Sequence, residues 1–293
     1  MNKFIQLFSN FIPNKEKRHQ FREWYNKKCF EKNIKYILSE EGGGVLKKIE
    51  SEFPNVLSTT ETLEEIIYNK KSISRFGDGE YNLLMKGRKK GNIFQKRDEK
   101  LRKRLGEVIA SNDENILICI SPFKSKEDYS TPEFKRKFGY FMEMYWLSNW
   151  KEIKKFLKNK KYGNALISRR DVFFENKLEE IKKIWDSKEV VFVYSEKGRF
   201  EKDTRLFNNI KSSEEILISP LNAFDDYENI LKKCMRKSKD KLFLIAAGAT
   251  ATVLAYDLAK LGYQALDIGH LPNCYKEYLG EILTPEILPK VKE

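Results

Sequence analysis

The sequence is poor in cysteine and histidine and has no long apolar run, and each shortage closes a class of function. Its four cysteines, at 29, 119, 234 and 274, show no paired spacing. That argues against a disulfide scaffold or a structural zinc site and fits a reducing compartment. With only two histidines, His19 and His270, a multi-histidine metal centre is excluded. Eight prolines and fifteen glycines are too few for a collagen-like or low-complexity chain. The longest apolar stretch, residues 242–256, is broken by Gly248, Thr250 and Thr252 and followed by Asp257. It is too short to span a membrane. The opening MNKFIQLFSNFIPNK has neither the apolar length nor the small-residue cleavage site of a secretory signal, so a cytoplasmic protein is expected.

Against these shortages stand 293 residues that are 41% hydrophobic, enough for one large domain or two ordinary ones with a real core. Acid is under-supplied: 43 Asp+Glu against 56 Lys+Arg give a formal charge of +13. Nucleic acid, an anionic membrane surface and phosphorylated small molecules all suit such a balance, as does a lysine-rich solvated surface. Charge alone does not choose among them.

The first 45 residues read as a basic N-terminal arm, and residues 46–293 as the main domain. Phe4, Ile5, Leu7, Phe8, Phe11 and Ile12 form an aromatic-rich cluster, and after Pro13 a Lys/Arg-rich stretch carries Phe21, Trp24, Tyr25 and Phe30 at helical spacing. Two readings stay open. The arm lies on anionic lipid headgroups at the inner face of the cell membrane, or it docks on the protein's own core or on a second subunit. Glycines 42–44 predict a hinge after it.

From Thr59 onward apolar strands alternate with amphipathic helices. Strands are predicted at SISRF, NILICI, GNALIS, VVFVYS, EILIS, KLFLIAA and YQALDIG, and a capping box at Thr62 and Glu65 opens the first helix. The pattern predicts an α/β, Rossmann-like fold: a mainly parallel sheet with helices on both faces. Ligands of such sheets bind outside the carboxyl ends of the strands, so the loops there hold the candidates. Arg75, Gly77, Asp78 and Glu80 follow the first strand. Two carboxylates two residues apart suit one hard cation, Mg²⁺ or Mn²⁺, with Arg75 contacting the same phosphate; equally, Asp78 and Glu80 suit the first turn of a helix. Gly248 and Thr250 sit at a strand-to-helix turn, where free N–H groups could meet phosphate or simply close a tight turn. It is not a dinucleotide fingerprint, because Ala251 and Val253 stand where later glycines belong. Arg169 and Arg199 lie in basic loops able to neutralise a diphosphate or to face solvent. Asp267 and His270 end the last strand.

Together SISRFGDGE, SPLNAF (219–224), AAGATATVLAYDLAKLGY and QALDIGH resemble the bacterial GT-D glycosyltransferases, a family first catalogued as a domain of unknown function. The resemblance runs from about Thr59 to the C-terminus. It implies transfer of a hexose from a nucleotide sugar, usually a UDP-sugar, to a surface glycan or glycoprotein. The family's Asp-x-Glu motif, which holds Mn²⁺ at the donor diphosphate, falls on Asp78 and Glu80. Where the family continues after its histidine with an acidic pattern, this chain has Pro272 and Cys274 at two of the acidic positions. The expectation is a metal-dependent glycosyltransferase that binds no nucleic acid. Arg75, Arg169 and Arg199 would meet the diphosphate, Gly77, Gly248 and Thr250 would shape the donor site, and His270 or Asp267 would act at the reacting centre. The unperturbed pKa of an imidazole, about 6.5, would let His270 accept a proton at neutral pH. The rival readings are another Rossmann-like enzyme, such as a methyltransferase or dehydrogenase, and a non-catalytic accessory protein bound to anionic membrane or nucleic acid.

Overall fold

A computed structural model of the chain describes residues 10–37, 39–87, 91–123 and 141–292. They divide between two compact units, residues 1–53 with 130–150, and residues 54–129 with 151–293. In the first unit, helices α1 (Lys15–Ile37) and α2 (Glu40–Glu52) pack together. Phe53 stacks on Trp150 at 5.2 Å and meets the edge of Trp146 at 5.1 Å, while Trp150 Nε1 donates to Glu52 at 2.9 Å. The expected glycine hinge is a helix instead. Ser39 caps α2 by accepting from the Gly42 N–H, and Ile49 is buried, so a cap and an apolar contact outweigh the helix-breaking entropy of glycines 42–44. Part of the N-terminal aromatic cluster, residues 4–8, lies outside the described residues.

The second unit contains a seven-stranded, all-parallel sheet. Its elements are α3 (Thr59–Ile67), β1 (Ser72–Phe76), α4 (Asp78–Leu84), α5 (Glu99–Ala110) and β2 (Ile116–Ile120). After α6 (Phe141–Ile153), a helix that begins in the first unit, come β3 (Gly163–Asn164), α7 (Asp171–Glu175), α8 (Leu178–Lys182), β4 (Glu189–Tyr194), α9 (Thr204–Phe207) and β5 (Ser212–Leu217). The chain ends with α10 (Tyr227–Met235), β6 (Leu242–Ala246), α11 (Ala249–Lys260), β7 (Gln264–Asp267) and α12 (Leu271–Tyr278).

The strand order is β3-β2-β1-β7-β6-β4-β5. Alternate strand residues feed two cores. Ile73, Phe192, Leu244 and Leu266 join Trp185, Leu271 and Tyr275 on one face. On the other, Ser74 Oγ donates to the Thr252 carbonyl of α11 at 2.6 Å, and α11 packs against α5 and α10. The inner strands are buried on both sides, which is why they read as near-continuous apolar runs, whereas the edge strand β5 is largely exposed. The strands β1 and β7 are neighbours, with Ile73 opposite Leu266. Their onward connections leave to opposite faces, β1 into α4 and α5 and β7 into α12, which opens a crevice at their carboxyl ends.

Local differences from the sequence reading have local causes. The capping box belongs to Ser58 and Glu61, one turn before the predicted pair, and Thr62 instead accepts from the Asn164 N–H at 2.9 Å. GNALIS is a strand for two residues only, because the Asn164 side chain accepts from the Leu166 N–H and turns the chain into a 3₁₀ segment. Residues 171–182 form two short helices, broken at Asn176, whose amide meets Thr59 and the Val172 carbonyl. The sequence reading placed no helix at α5, whose Asp98 cap accepts from the Leu101 N–H at 2.7 Å. Among the described residues no helix is long and apolar enough to cross a membrane.

Candidate active site

The loop after β1 is built by local hydrogen bonding. Gly77 caps α4 without a side chain, so Glu80 reaches back and accepts from the Gly77 N–H at 3.0 Å. Glu80 is thereby held inside the crevice. Burial, with Asp267 and Asp78 nearby, pushes its carboxyl up to about 7 despite the Gly77 bond and Arg75. Asp78 keeps solvent contact at the mouth. The protein atoms packed around it still raise its carboxyl, while Arg169 pulls the other way. Two neighbouring carboxylates that both resist ionisation leave a site that a cation would relieve. No group of three or more Asp, Glu, His or Cys forms a metal cluster among the described residues. An oxygen-only pair of this kind fits Mg²⁺ or Mn²⁺ completed by water and phosphate oxygens, and does not fit zinc.

The ends of β1 and β7 are locked to each other. Arg75 donates from Nε to the Asp267 carbonyl at 2.7 Å and from Nη2 to Asp267 Oδ1 at 2.8 Å. Thr252 donates to Asp267 Oδ2 at 3.4 Å and to the Arg75 carbonyl at 3.1 Å. Gly269 makes room for this arrangement: a Cβ there would lie 2.1 Å from Arg75 Nη2, and its φ of +43° suits glycine. Asp267, 3% exposed, is therefore committed to orienting Arg75.

His270 begins α12, its carbonyl accepting from the Cys274 N–H at 2.9 Å. The sequence reading took its imidazole to titrate near the ordinary value, and the structure corrects that premise. Burial, reinforced by Arg169, Arg75 and Arg199 against an opposing pull from Glu286, pushes it down to about 3. At neutral pH the ring is uncharged.

Arg169 follows the 3₁₀ segment after β3 and meets Glu286 at 3.1 Å. Arg199, 7% exposed in the loop after β4, donates to the carbonyls of Glu286 at 3.3 Å and Pro289 at 3.4 Å. Glu286, held near 2 by Arg169 and a Thr284 bond against the cost of burial, brings the C-terminal segment across both arginines. Arg170 pairs with Glu277 at 3.5 Å, and burial raises Glu277 to about 7. Gly248 is exposed with a φ of +55° and begins α11. Thr250, by contrast, is fully buried and its hydroxyl has no hydrogen-bond partner, so it packs the first turn of α11 instead of lining an open loop.

The structure thus brings Arg75, Gly77, Asp78, Glu80, Arg169, Arg199, Asp267 and His270 to the same end of the sheet. The sequence reading missed Glu286 and Phe94. Glu286 stands in a tail without periodicity, and only the fold shows its partner. Phe94, in the loop before α5, lies 5.0 Å under the Arg199 guanidinium and 6.1 Å from the His270 ring. Its only local sequence signal is the turn-forming Asn92 two residues before it.

Comparison with known proteins gives the family. Residues 73–288 match the family model described as the glycosyltransferase GT-D fold. A probable glycosyl transferase, Gly, of Streptococcus gordonii is 32% identical over 230 residues, 76% of this chain and 33% of that protein. The glycosyltransferase GlyD of Streptococcus pneumoniae serotype 4 is 28% identical over 229 residues, 74% of this chain and 26% of that protein. The chain therefore spans about a third or less of the length of these curated relatives. Among solved structures, the highly conserved domain of unknown function 1792, described as having a distinct glycosyltransferase fold, superposes with a TM-score of 0.72. It is 29% identical, over 82% of this chain and 86% of that one. A new glycosyltransferase from Streptococcus sanguinis superposes with a TM-score of 0.68 at 27% identity, over 78% of this chain and 86% of that one. With a family match covering most of the parallel-sheet unit and the Asp-x-Glu loop inside it, the chain belongs to the glycosyltransferase family of the GT-D fold.

Proposed function

We propose that the chain transfers a hexose from a UDP-sugar to a hydroxyl of a surface glycan or glycoprotein, with Mn²⁺ or Mg²⁺ at the donor diphosphate. The observation that carries this reading is the Asp78 and Glu80 pair at the first turn of α4, at the sheet end where Arg75 is fixed on Asp267 and where Arg199 and His270 flank Phe94. An oxygen-only acidic pair beside clustered guanidinium groups suits an anionic ligand that arrives with its own cation.

Asp78 and Glu80 would hold the cation, which when bound stabilises the charge building on the diphosphate as the bond from the sugar C1 to phosphate breaks. Arg169 and Arg199 exchange their contacts with the tail for phosphate oxygens. Arg75 stays on Asp267 and contributes its charge from there. The new C1–O bond forms to the acceptor hydroxyl, whose proton must leave to a base. The His270 imidazole, uncharged at neutral pH, would take it; burial is the main cause of its weak basicity, and the negative diphosphate would offset only the smaller part that the arginines contribute. In the other unit, α1 is rich in Lys and Arg and Trp24 is 55% exposed, which supports peripheral contact with anionic lipid.

The test is hydrolysis or transfer across a panel of UDP-sugars with and without Mn²⁺, alongside thermal shifts with NAD and S-adenosylmethionine. One UDP-sugar should give metal-dependent turnover. Stabilisation by NAD or S-adenosylmethionine alone would overturn the reading. So would steeply salt-dependent binding to vesicles or nucleic acid with no UDP-sugar response.

A further inference from the structure

The segment SPLNAF, residues 219–224, contributes no group to the chemistry just described, yet it is tied to the candidate site through another loop. Asn222 takes a left-handed backbone, φ 54°, which directs both its N–H and its side chain at residues 94–96. Its N–H donates to the Phe94 carbonyl at 2.8 Å, and its Oδ1 accepts from the Lys96 N–H at 2.7 Å. Two residues on, the Phe224 N–H donates to Gln95 Oε1 at 3.3 Å, with Gln95 only 3% exposed. From inside the loop, Asn92 Oδ1 accepts from the N–H groups of Phe94 and Gln95 at 2.9 and 2.7 Å. Both backbone polar groups of Phe94 are therefore fixed, one by Asn92 and one by Asn222.

A backbone held this tightly places a single side chain. The Phe94 ring reaches the loops after two strands, and its Cβ faces the loop after a third. Arg199, after β4, lies over it at 5.0 Å; His270, after β7, is 6.1 Å away at 48°; and a Cβ at Gly248, after β6, would come within 3.8 Å of the Phe94 Cβ. The ring is the flat apolar surface in a crevice otherwise lined by charge. Arg199 is nearly buried, and the hydrogen bonds its guanidinium makes to the tail are long, 3.3 and 3.4 Å. The aromatic ring 5.0 Å away adds a contact to that guanidinium besides these two bonds, and a desolvated cation over a ring is held strongly.

We propose that Phe94 is a positioning residue for Arg199 and that residues 219–224 are the clasp that keeps Phe94 in place. The proposal rests on reading Arg199 as a donor-phosphate contact. It gives Asn222 a function that neither burial nor chemistry at position 222 would suggest.

The experiment measures UDP affinity by calorimetry, with Mn²⁺, on the full chain and on Phe94→Leu, Phe94→Trp, Asn222→Ala, Arg199→Met and the Phe94→Leu/Arg199→Met double variant. Circular dichroism checks that each is folded. Phe94→Leu and Asn222→Ala should each weaken UDP about tenfold, whereas Phe94→Trp, which keeps a ring, should stay within about twofold. In the Arg199→Met background, Phe94→Leu should add nothing. Equal loss in both backgrounds, or no loss in either, overturns the proposal. A second readout needs no nucleotide: the Arg199 Nε–H resonance, which senses the ring beside it, should move in Phe94→Leu and Asn222→Ala and remain near its place in Phe94→Trp. If wild-type protein ignores UDP, the donor reading falls. An unmoved resonance then overturns the positioning role as well, and a moved one sustains it.

Discussion

The two sides of the crevice are made in opposite ways. On the acidic side, Gly77, Asp78 and Glu80 follow one strand directly, and local bonds, among them that from the Gly77 N–H to Glu80, set their geometry. On the basic side, Arg169, Arg170, Arg199, Glu277 and Glu286 come from segments far apart in the chain, each cation held by an acid or carbonyl that only the fold supplies. A side built locally can lose a carboxylate without losing its scaffold. A side built from mutual neutralisation leaves a desolvated charge behind whenever one member goes. Function and stability should therefore separate on the first side and move together on the second.

The largest effect tests that separation. Asp78→Ala should lower metal-dependent turnover by about a thousandfold while shifting the melting temperature by no more than about 2 °C, since a carboxylate at the mouth of a strand-end loop contributes little packing. A melting temperature that collapses with activity would show that the acidic side is also structural, and the contrast would be lost. Next comes His270, which follows β7 and lies beside Phe94 and the Arg199 that covers it. His270→Ala should reduce turnover about a hundredfold and change UDP affinity by less than about threefold. Equal losses in both would make it a binding group instead, and a wild-type rate would place the base elsewhere.

On the basic side, Arg169→Ala should weaken UDP and destabilise the fold together. It uncovers Glu286, which Arg169 holds near 2, and removes one of the cations acting on Glu277. Because the Arg169 side chain is 35% exposed, water compensates part of the loss, and about 2 kcal/mol is expected from urea unfolding. Unchanged stability would break the comparison from this end.

The same difference decides what could be read from the residues alone. The inner strands stood out because they are short apolar runs buried on both faces, and Asp78 and Glu80 stood out because their spacing is their geometry. Arg75 was legible as a candidate, but its attachment to Asp267 was not, since a residue before one helix and a residue after the last strand meet only through the β1–β7 pairing. Glycines 42–44 misled because composition argues for a hinge while the Ser39 cap and the burial of Ile49 argue for a helix, and these win. Glu286 and Phe94 carry no periodicity and no motif. Their roles come from contacts with Arg169 and Arg199, and no local pattern encodes a contact across more than a hundred residues.

The narrowest expected effect, which only a change of pH reveals, concerns the buried partner of Arg170. Glu277 has a carboxyl side chain only 6% exposed, 3.5 Å from Arg170 Nη1, with Arg169 also favouring its charge and Glu286 and Asp171 opposing it. Burial prevails and moves it from the ordinary 4.5 to about 7. A carboxyl that holds its proton more tightly when folded stabilises the protein below the unfolded pKa and loses that contribution as pH rises through the folded value. Wild-type stability should accordingly decline from this group between about pH 5 and pH 8, by at most roughly 3 kcal/mol for a shift of this size. In Glu277→Gln the side chain keeps its shape and no longer ionises; the shift to about 7 already contains the pairing with Arg170, so the gain at pH 8 should approach the same limit of roughly 3 kcal/mol. Urea midpoints should then be nearly equal for the two proteins at pH 5 and higher for the variant at pH 8. A difference that stays constant across that range would mean that Arg170 compensates the buried charge fully, and that the basic side of the crevice is neutralised pair by pair rather than left with a proton to trade.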